Sequence, residues 1–172
     1  NSENKSKRIR LGYISSDFKE HAVSYLIAKV LETHNRDEFE LFGYSISSSK
    51  LDKMGERTKK AFDVFREVEK FSDKEIALKI QKDKIDILID LNGHTKNSRT
   101  DIFTYRPAKI QINFLGFPGT MGAEFIDYII ADNVVIPSRF NNFYSEKIIR
   151  LPHSYMPTDN TREISNRPVT RE

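Results

Sequence analysis

Asp17 and His21 are the first residues along the chain whose types and spacing could carry out acid–base chemistry. They stand four residues apart in a polar segment that joins an apolar run, residues 8–15, to a stretch with helical spacing. A carboxylate or an imidazole at the start of a helix could take a proton from a hydroxyl nucleophile. In the alternative interpretation, which the residue pattern alone favours, Asp17 caps the turn and His21 covers the first helical turn.

Two further polar loops follow strongly apolar runs, and the first of them contains Asn92, Gly93, His94 and Thr95. It comes directly after residues 85–91. Its polar side chains and flexible backbone could line a cleft that holds a sugar or a phosphate. An ordinary turn is the alternative, in which Gly93 supplies a positive φ.

The other polar loop has the sequence GFPGT and runs from Gly116 to Thr120, directly after the apolar run 110–115. Two glycines and a proline in five residues fix the backbone shape and leave it bare, so a ligand could approach the peptide groups closely. The same residue types are common in ordinary turns. Thr120 could line the cleft or serve only as a helix cap.

The elements that must position these loops alternate between strands and helices, which predicts an α/β fold with a mainly parallel sheet flanked by helices. The carboxyl ends of parallel strands meet at one edge of a sheet, where ligands bind, so we expect the three loops to converge there. Strands are predicted at 8–15, 39–46, 64–68, 85–91, 110–115, 125–131 and 147–151, the last as an edge strand. Helices are predicted from Val23 to Thr33, at 51–62, from the capping box of Ser72 and Glu75, and from Ser98 with Asp101 to a point before Pro107.

The two ends of the chain differ from its middle. Residues 1–7 are polar, and we expect a disordered start. Residues 8–151 form the expected folded lobe. Residues 152–172 contain three prolines and almost no apolar periodicity, which is typical of a linker that leaves a domain.

Composition excludes several classes of function. The net charge is +3, and lysines and glutamates are interspersed, which indicates a solvated surface and no nucleic-acid partner. No apolar run reaches the roughly 20 residues of a membrane helix. The absence of cysteine excludes disulfides, thiolate metal sites and a cysteine nucleophile, and it fits a cytoplasmic protein. His34 and His153 lack partners at metal-ligand spacing, so no metal site is predicted.

Five blocks of the sequence form a familiar series. They are RIRLGYISSDFKEHAVSYL, FELFGYS, DILIDLNGHTKNSR, RPAKIQINFLGFPGTMGAEFIDYIIAD and YSEKIIRLPHSYMPTD, and they cover the chain from about Lys7 to about Thr158. In this order they resemble the catalytic region of the protein O-GlcNAc transferase and SPINDLY-like family. The resemblance implies one of two Rossmann-like lobes that face each other across a cleft, usually preceded by tetratricopeptide repeats. The chain corresponds to the amino-terminal lobe, and we expect a bacterial origin.

The resemblance also implies a reaction. The family transfers a sugar from a nucleotide-sugar, here expected to be GlcNAc from UDP-GlcNAc, to serine or threonine hydroxyls of proteins, with inversion and without a bound metal or other cofactor. The expected partners are a protein or peptide acceptor and the carboxyl-terminal catalytic lobe. Because that second lobe supplies most nucleotide contacts, we expect this chain alone to be close to inactive. A GDP-fucose-dependent transferase and a non-catalytic binding lobe are alternatives. A stand-alone nucleotide-binding protein is disfavoured, because the first turn has no glycine.

By the same resemblance, five residues fall on two motifs of the family. Asp17 and His21 fall on the motif DF-x-x-H, whose acid is the proposed proton acceptor and whose histidine lines the active site. Leu115, Gly116 and Pro118 fall on the motif L-G-[YF]-P, which lies against the donor sugar.

The chain departs from the family pattern at three positions. Ala22 and Val23 stand where Pro-Thr is usual, and the lost hydroxyl puts one donor contact in doubt. His94 stands at the tyrosine position of a common N-G-Y-T loop.

Overall fold

The structure is a computed structural model that describes residues 8–47, 52–162 and 167, so the predicted disordered start lies outside the described residues. Strands and helices alternate from residue 9 to residue 113, as predicted. They are β1 (Ile9–Ser15), α1 (Ala22–Thr33), β2 (Phe39–Ser45), α2 (Lys53–Lys60), β3 (Val64–Glu67), α3 (Asp73–Lys82), β4 (Ile87–Asp90), α4 (Asp101–Thr104), β5 (Ile110–Asn113), β6 (Tyr128–Ala131), a 3₁₀ helix (Ser138–Phe143) and β7 (Lys147–Arg150).

These strands form one seven-stranded sheet in the order β3-β2-β1-β4-β5-β6-β7. Every neighbouring pair is parallel, and β7 lies at an edge, as predicted. The chain runs outward from β1 to β3 and then returns to place β4 against the other side of β1. This strand order is that of the Rossmann fold, and its switch point lies between β1 and β4. The predicted α/β, Rossmann-like fold is confirmed.

Apolar side chains cover both faces of the sheet. Because side chains alternate along a strand, Leu11 and Tyr13 of β1 lie on one face and Ile14 on the other. The first face packs against α1 through Ile27, and the second packs against α3 through Ile76. Both isoleucines are fully buried, and each such burial contributes roughly 1.5–3 kcal/mol. None of the helices in the described ranges has the length and apolar character that a membrane crossing requires.

Three aspartates, Asp63, Asp86 and Asp127, form the same pair of hydrogen bonds at the amino-terminal edge of the sheet. Each directly precedes a strand, donates its N–H to a carbonyl of the neighbouring strand, and accepts the N–H of that same residue with its carboxylate. The carboxylate distances are 2.7 Å to Leu41 N, 3.0 Å to Arg10 N and 2.8 Å to Gln111 N. In each case the aspartate side chain makes the first hydrogen bond to the neighbouring strand, and regular backbone pairing begins only after it. Strands β4 and β6 therefore start later, and are shorter, than predicted.

Helix starts agree with the sequence at one position and differ at another. The capping box at α3 is confirmed, because Ser72 N donates to Glu75 Oε2 over 2.8 Å and Ser72 Oγ accepts from Glu75 N. The prediction that Ser98 opens the next helix is wrong. That helix begins at Asp101 behind Thr100, while Ser98 N donates to a carbonyl within the preceding turn.

Of the linker predicted for residues 152–172, residues 152–162 pack against the lobe, while 163–166 and 168–172 lie outside the described residues. Tyr155 is buried, and its hydroxyl donates to Leu115 O over 2.5 Å. Asp159 accepts a hydrogen bond from Arg57 of α2 over 2.7 Å, and the Asp159 side chain is 1% exposed. A linker would make neither contact, and isolated polar residues in a proline-rich segment give no periodic signal of them.

Candidate active site

Asn92 joins the loops that follow β1 and β4 at the switch point of the sheet. Its Oδ1 accepts from Ser16 N over 2.8 Å, and its Nδ2 donates to Asp17 Oδ2 over 2.8 Å. A third contact runs from Nδ2 to Ser16 Oγ over 2.9 Å. The residue is 1% exposed, so Asn92 lies beneath the cleft that it was predicted to line. It positions Asp17.

The carboxylate of Asp17 is held from two sides. Besides the bond from Asn92, its Oδ1 accepts from Ser16 Oγ over 3.1 Å. The Asp17 carbonyl accepts from Ser24 Oγ of α1 over 2.5 Å, which ties the loop to the helix. Asp17 is buried yet still reaches a cavity at the sheet edge. A carboxylate oriented in this way can accept a proton from a hydroxyl group placed in that cavity.

His21 is the N-cap of α1. Its Nδ1 accepts from Val23 N over 3.3 Å, so a neutral imidazole carries its proton on Nε2. The same Nδ1 lies 3.7 Å from Asp17 Oδ2, which is too far for a hydrogen bond. The interpretation that Asp17 caps the turn is wrong, because the capping side chain is His21. Val23 is buried beneath this turn.

The loop after β5 starts with a strained turn. Gly116 N donates to Phe114 O over 3.0 Å, and Leu115 between them has φ +76°. This is a γ-turn of the rare type with positive φ. Such a conformation costs about 1–3 kcal/mol and persists only where contacts with the surrounding structure offset that cost. A Cβ on Gly116 would lie 2.1 Å from Leu91 O. Only glycine therefore lets the loop lie directly on the end of β4.

Three side chains bind the carbonyls of this loop. Asn113 Nδ2 donates to Phe117 O over 2.9 Å, Tyr144 OH to Pro118 O over 3.1 Å, and Tyr155 OH to Leu115 O. Sequence reasoning missed all three. A signal existed for Asn113, because Gln111 and Asn113 are polar residues at alternate positions of an otherwise apolar strand.

Gly93 and His94 contact the β5 loop rather than the cavity beside Asp17. Gly93 has φ +59°, as the turn interpretation predicts, and a Cβ there would lie 2.7 Å from Phe117 Cβ. His94 Nε2 lies 3.1 Å from Met121 O, and its ring packs edge-on against Phe117. The two loops are therefore packed together.

Thr120 lies at the outer end of the same loop and caps no helix. Its hydroxyl donates to Glu146 Oε2 over 2.8 Å and accepts from Gly122 N over 3.0 Å. The cap prediction is wrong, because an irregular segment without a helix leads from residue 121 to β6.

A cavity of about 410 Å³ brings four of the predicted residues together at the switch point. They are Asp17, His21, Thr95 and Gly116, while Asn92 lies below and Pro118 and Thr120 are not among the lining residues. The volume suits a sugar-sized ligand. The cavity is lined by Asp17, Lys19, His21, Val23, Thr95, Lys96, Asn97 and Gly116, so two lysines join the predicted set.

A larger cavity of about 810 Å³ lies between α1, α2 and residues 161–162. It lies outside the strand ends and combines three glutamates with lysines and arginines along two helices. Ligand sites in open α/β sheets lie outside the carboxyl ends of the strands, so the smaller cavity is the candidate site. Within the part of the chain that the structure describes, no cluster of three or more His, Asp or Glu side chains is arranged to hold a metal ion.

Asp90 lies directly under the site at the end of β4. Its carboxylate accepts from Asn92 N over 2.9 Å and from Gly93 N over 3.1 Å, which shapes the loop above it. Burial raises the pKa of Asp90 to about 6, although the two N–H donors and nearby His94 act in the opposite direction. Asp90 is thus a positioning residue whose charge is costly.

A family model described as glycosyl transferase family 41 matches residues 1–167, which is nearly the whole chain. The chain belongs to glycosyl transferase family 41. The relatives and the solved structure described next confirm the resemblance to O-GlcNAc transferase and SPINDLY-like proteins.

Family 41 relatives match most of the chain. It is 44% identical over 153 residues to the probable UDP-N-acetylglucosamine–peptide N-acetylglucosaminyltransferase SEC of Arabidopsis thaliana, which covers 89% of the chain and 16% of the relative. It is 38% identical over 176 residues to the corresponding transferase of Caenorhabditis elegans, covering 96% and 15%. It is 31% identical over 175 residues to the probable transferase SPINDLY of Petunia hybrida, covering 98% and 19%.

A solved structure of the family shares the fold. A mutant of the O-GlcNAc transferase of Thermobaculum terrenum superposes with a TM-score of 0.85 at 31% identity, over 91% of this chain and 30% of that one. The chain thus spans 15 to 19% of the length of the three relatives and about a third of the solved structure.

Proposed function

We propose that this chain is the amino-terminal catalytic lobe of an inverting glycosyltransferase that moves GlcNAc from UDP-GlcNAc to serine or threonine hydroxyls of proteins. The observation that carries the proposal is Asp17, a carboxylate held by Asn92 against a cavity that also contains His21 and Gly116. Membership in family 41 supports the class of reaction, and the names of the Arabidopsis and Caenorhabditis relatives support the donor and the protein acceptor.

In the proposed reaction, Asp17 takes the proton of the acceptor hydroxyl while its oxygen forms a bond to C1 of the sugar. The bond between C1 and the diphosphate oxygen breaks at the same time, and UDP leaves with the electron pair on the opposite face. Asn92 fixes Asp17 Oδ2, so the carboxylate needs no reorientation during proton transfer. His21 lines the same cavity, and because its Nδ1 accepts from Val23 N, its Nε2 is the ring nitrogen left to donate a hydrogen bond.

The donor sugar lies against the loop of Leu115, Gly116 and Pro118 in this proposal. A bare backbone at Gly116 and a turn fixed by packing fit such a role, because a sugar needs close, preformed contacts. The carboxyl-terminal lobe supplies most contacts to the nucleotide, so the chain alone is close to inactive. The reaction needs no bound metal or other cofactor, and transfer is therefore unchanged by EDTA. A bacterial origin, preceding repeats and a cytoplasmic location stay predictions.

The test is sugar transfer by the full-length protein, with UDP-GlcNAc and GDP-fucose offered in parallel and the products read by intact-protein mass. We expect a gain of one GlcNAc. Asp17→Asn lowers kcat by about 10²–10⁴-fold, the usual contribution of a general base. Asp86→Asn is the matched control, because Asp86 also accepts an N–H but lies at the opposite edge of the sheet. Its kcat is unchanged.

His21→Asn separates the two roles of His21. Asparagine is a good N-cap, so we expect the free energy of unfolding to stay within about 0.5 kcal/mol of the wild type while transfer falls. A mass gain with GDP-fucose alone would make the chain part of a fucosyltransferase. A folded wild-type protein that transfers neither sugar, offered several acceptors, or an Asp17→Asn protein with full activity, contradicts the proposal and favours a binding lobe.

A further inference from the structure

Residues 152–162 are attached to the lobe at two separate points. Near the sheet edge, Tyr155 N donates to Asp132 Oδ2, just after β6, over 2.6 Å. On the helical side, Asp159 accepts from Arg57, which also binds Glu32 of α1 through two hydrogen bonds of 2.7 and 3.0 Å. Met156 between these points is half exposed. The segment therefore runs from the candidate site to the outer face of α1 and α2.

Tyr155 turns its side chain into the lobe at the first of these points. Its ring is 5% exposed and packs edge-on against Phe114, with 5.7 Å between the ring centroids. Its hydroxyl donates to Leu115 O over 2.5 Å. Burial raises the pKa of Tyr155 to about 12, so this hydroxyl keeps its proton and remains a donor at neutral pH.

The acceptor of this hydrogen bond is the strained residue of the site. Leu115 has φ +76° at the centre of the γ-turn, and Gly116 follows it into the cavity. A non-glycine residue keeps such a conformation only when its surroundings fix it. Tyr155 binds the carbonyl of Leu115 itself, whereas Asn113 and Tyr144 bind carbonyls two and three residues farther along. Without the Tyr155 hydroxyl, the turn can relax toward negative φ and displace Gly116.

We propose that Tyr155 is a positioning residue for the donor-sugar loop: its hydroxyl holds Leu115 in the strained turn and so couples residues 152–162 to the sugar pocket. The proposal rests on the proposed function, in which the donor sugar lies against this loop. Anything that shifts residues 152–162 changes the affinity of the pocket for the donor.

The decisive variant is Tyr155→Phe in the full-length protein, because it removes the hydroxyl and keeps the ring against Phe114. We expect the KM for UDP-GlcNAc to rise about tenfold, since only the fraction of molecules with the turn formed binds the donor. At saturating donor the turn is restored by binding, so kcat stays within about threefold of the wild type. A residue with a merely structural role would not separate KM from kcat in this way.

Tyr13→Phe is the matched control. Tyr13 is equally buried, in β1, and its hydroxyl lies 2.8 Å from His34 Nε2, away from the site. This variant loses a buried hydroxyl contact as well, but we expect its KM for UDP-GlcNAc to equal that of the wild type. A KM that stays unchanged in Tyr155→Phe, or that rises equally in both variants, overturns the proposal.

Hydrogen exchange of residues 114–119 gives a second readout that needs no substrate. The Gly116 N–H donates to Phe114 O only while the γ-turn is formed, so its exchange reports the turn directly. We expect faster exchange there in Tyr155→Phe and wild-type exchange in Tyr13→Phe. If the wild-type protein transfers no GlcNAc, the proposed function fails, but hydrogen exchange still tests whether Tyr155 holds the turn. Unchanged exchange of Gly116 in Tyr155→Phe overturns the role of Tyr155.

Discussion

Aspartates lie at both edges of the sheet, but they bind different groups at the two edges. At the amino-terminal edge, Asp63, Asp86 and Asp127 each pair with a residue of the neighbouring strand, and two of them also bind arginines. At the carboxyl edge, Asp17 and Asp90 accept from the loops above the strands. The first group aligns strands, and the second group shapes the site.

The difference shows that residue type alone does not identify a functional carboxylate in this fold. Asp86 directly precedes β4 and Asp90 ends it, four residues farther along the chain. The Asp86 carboxylate accepts a hydrogen bond from Arg10 N of the neighbouring strand, as a backbone carbonyl would. The Asp90 carboxylate instead accepts from the turn at Asn92 and Gly93. Position relative to the carboxyl end of the strand separates the two roles.

Replacing Gly116 by alanine has the largest expected effect at the carboxyl edge. The new Cβ would meet Leu91 O at 2.1 Å, so the loop must move away from β4. We expect sugar transfer by the full-length protein to fall about a hundredfold, as displacements near 1 Å in an active site do. Gly122→Ala is the control, because a Cβ there meets nothing within 4 Å and only the φ of +62° is unfavourable. Equal losses in both variants would contradict this account.

Asp90 and Asp132 lie at the same edge of the sheet, but we expect pH to change their contributions to the free energy of unfolding in opposite directions. The pKa of Asp90 is raised to about 6 by burial, so its stabilising contribution is full below about pH 4 and is lost as pH rises through 6. Relative to Asp90→Asn, the wild type should lose up to about 3 kcal/mol of unfolding free energy over this range.

Hydrogen bonds from Val135 and Tyr155 lower the pKa of Asp132 instead. Its contribution is therefore present above the unfolded pKa near 4 and is lost as pH falls further. Urea unfolding of the wild type, Asp90→Asn and Asp132→Asn between about pH 2 and pH 7 measures both trends. Difference curves with the same sign would be evidence against the assigned causes.

At the amino-terminal edge, Asp127→Ala should lower stability and spare the chemistry. It leaves Gln111 N without its acceptor and breaks the ion pair with Arg106. We expect a loss of about 1–3 kcal/mol in urea unfolding, with kcat for sugar transfer unchanged. Asp127→Asn keeps an oxygen for Gln111 N and should lose less. A loss of kcat without a loss of stability would show that the amino-terminal edge also serves the site.

The sequence predicts the sheet well because apolar runs, turn residues and a capping box all favour the same elements. It also predicts that Asp17, His21 and Gly116 converge, because parallel strands bring their carboxyl ends to one edge. It does not predict the contact of Tyr155, whose partner Leu115 lies 40 residues earlier. The polar alternation of Gln111 and Asn113 gives a signal for Asn113, but the carbonyl that Asn113 binds depends on the exact path of the loop. The predicted starts of β4 and β6 are too early, because an aspartate side chain, and not a backbone carbonyl, accepts the first hydrogen bond from the neighbouring strand.

The paired hydrogen bonds of Asp63, Asp86 and Asp127 also bear on how the chain folds. Parallel strands must find partners far away in the sequence, and a slip of one residue would turn every side chain to the wrong face. Both bonds of each aspartate form only when the strand meets one particular residue of its neighbour. In three of the six strand pairs, a single aspartate just before one strand therefore fixes the register of that strand against its neighbour.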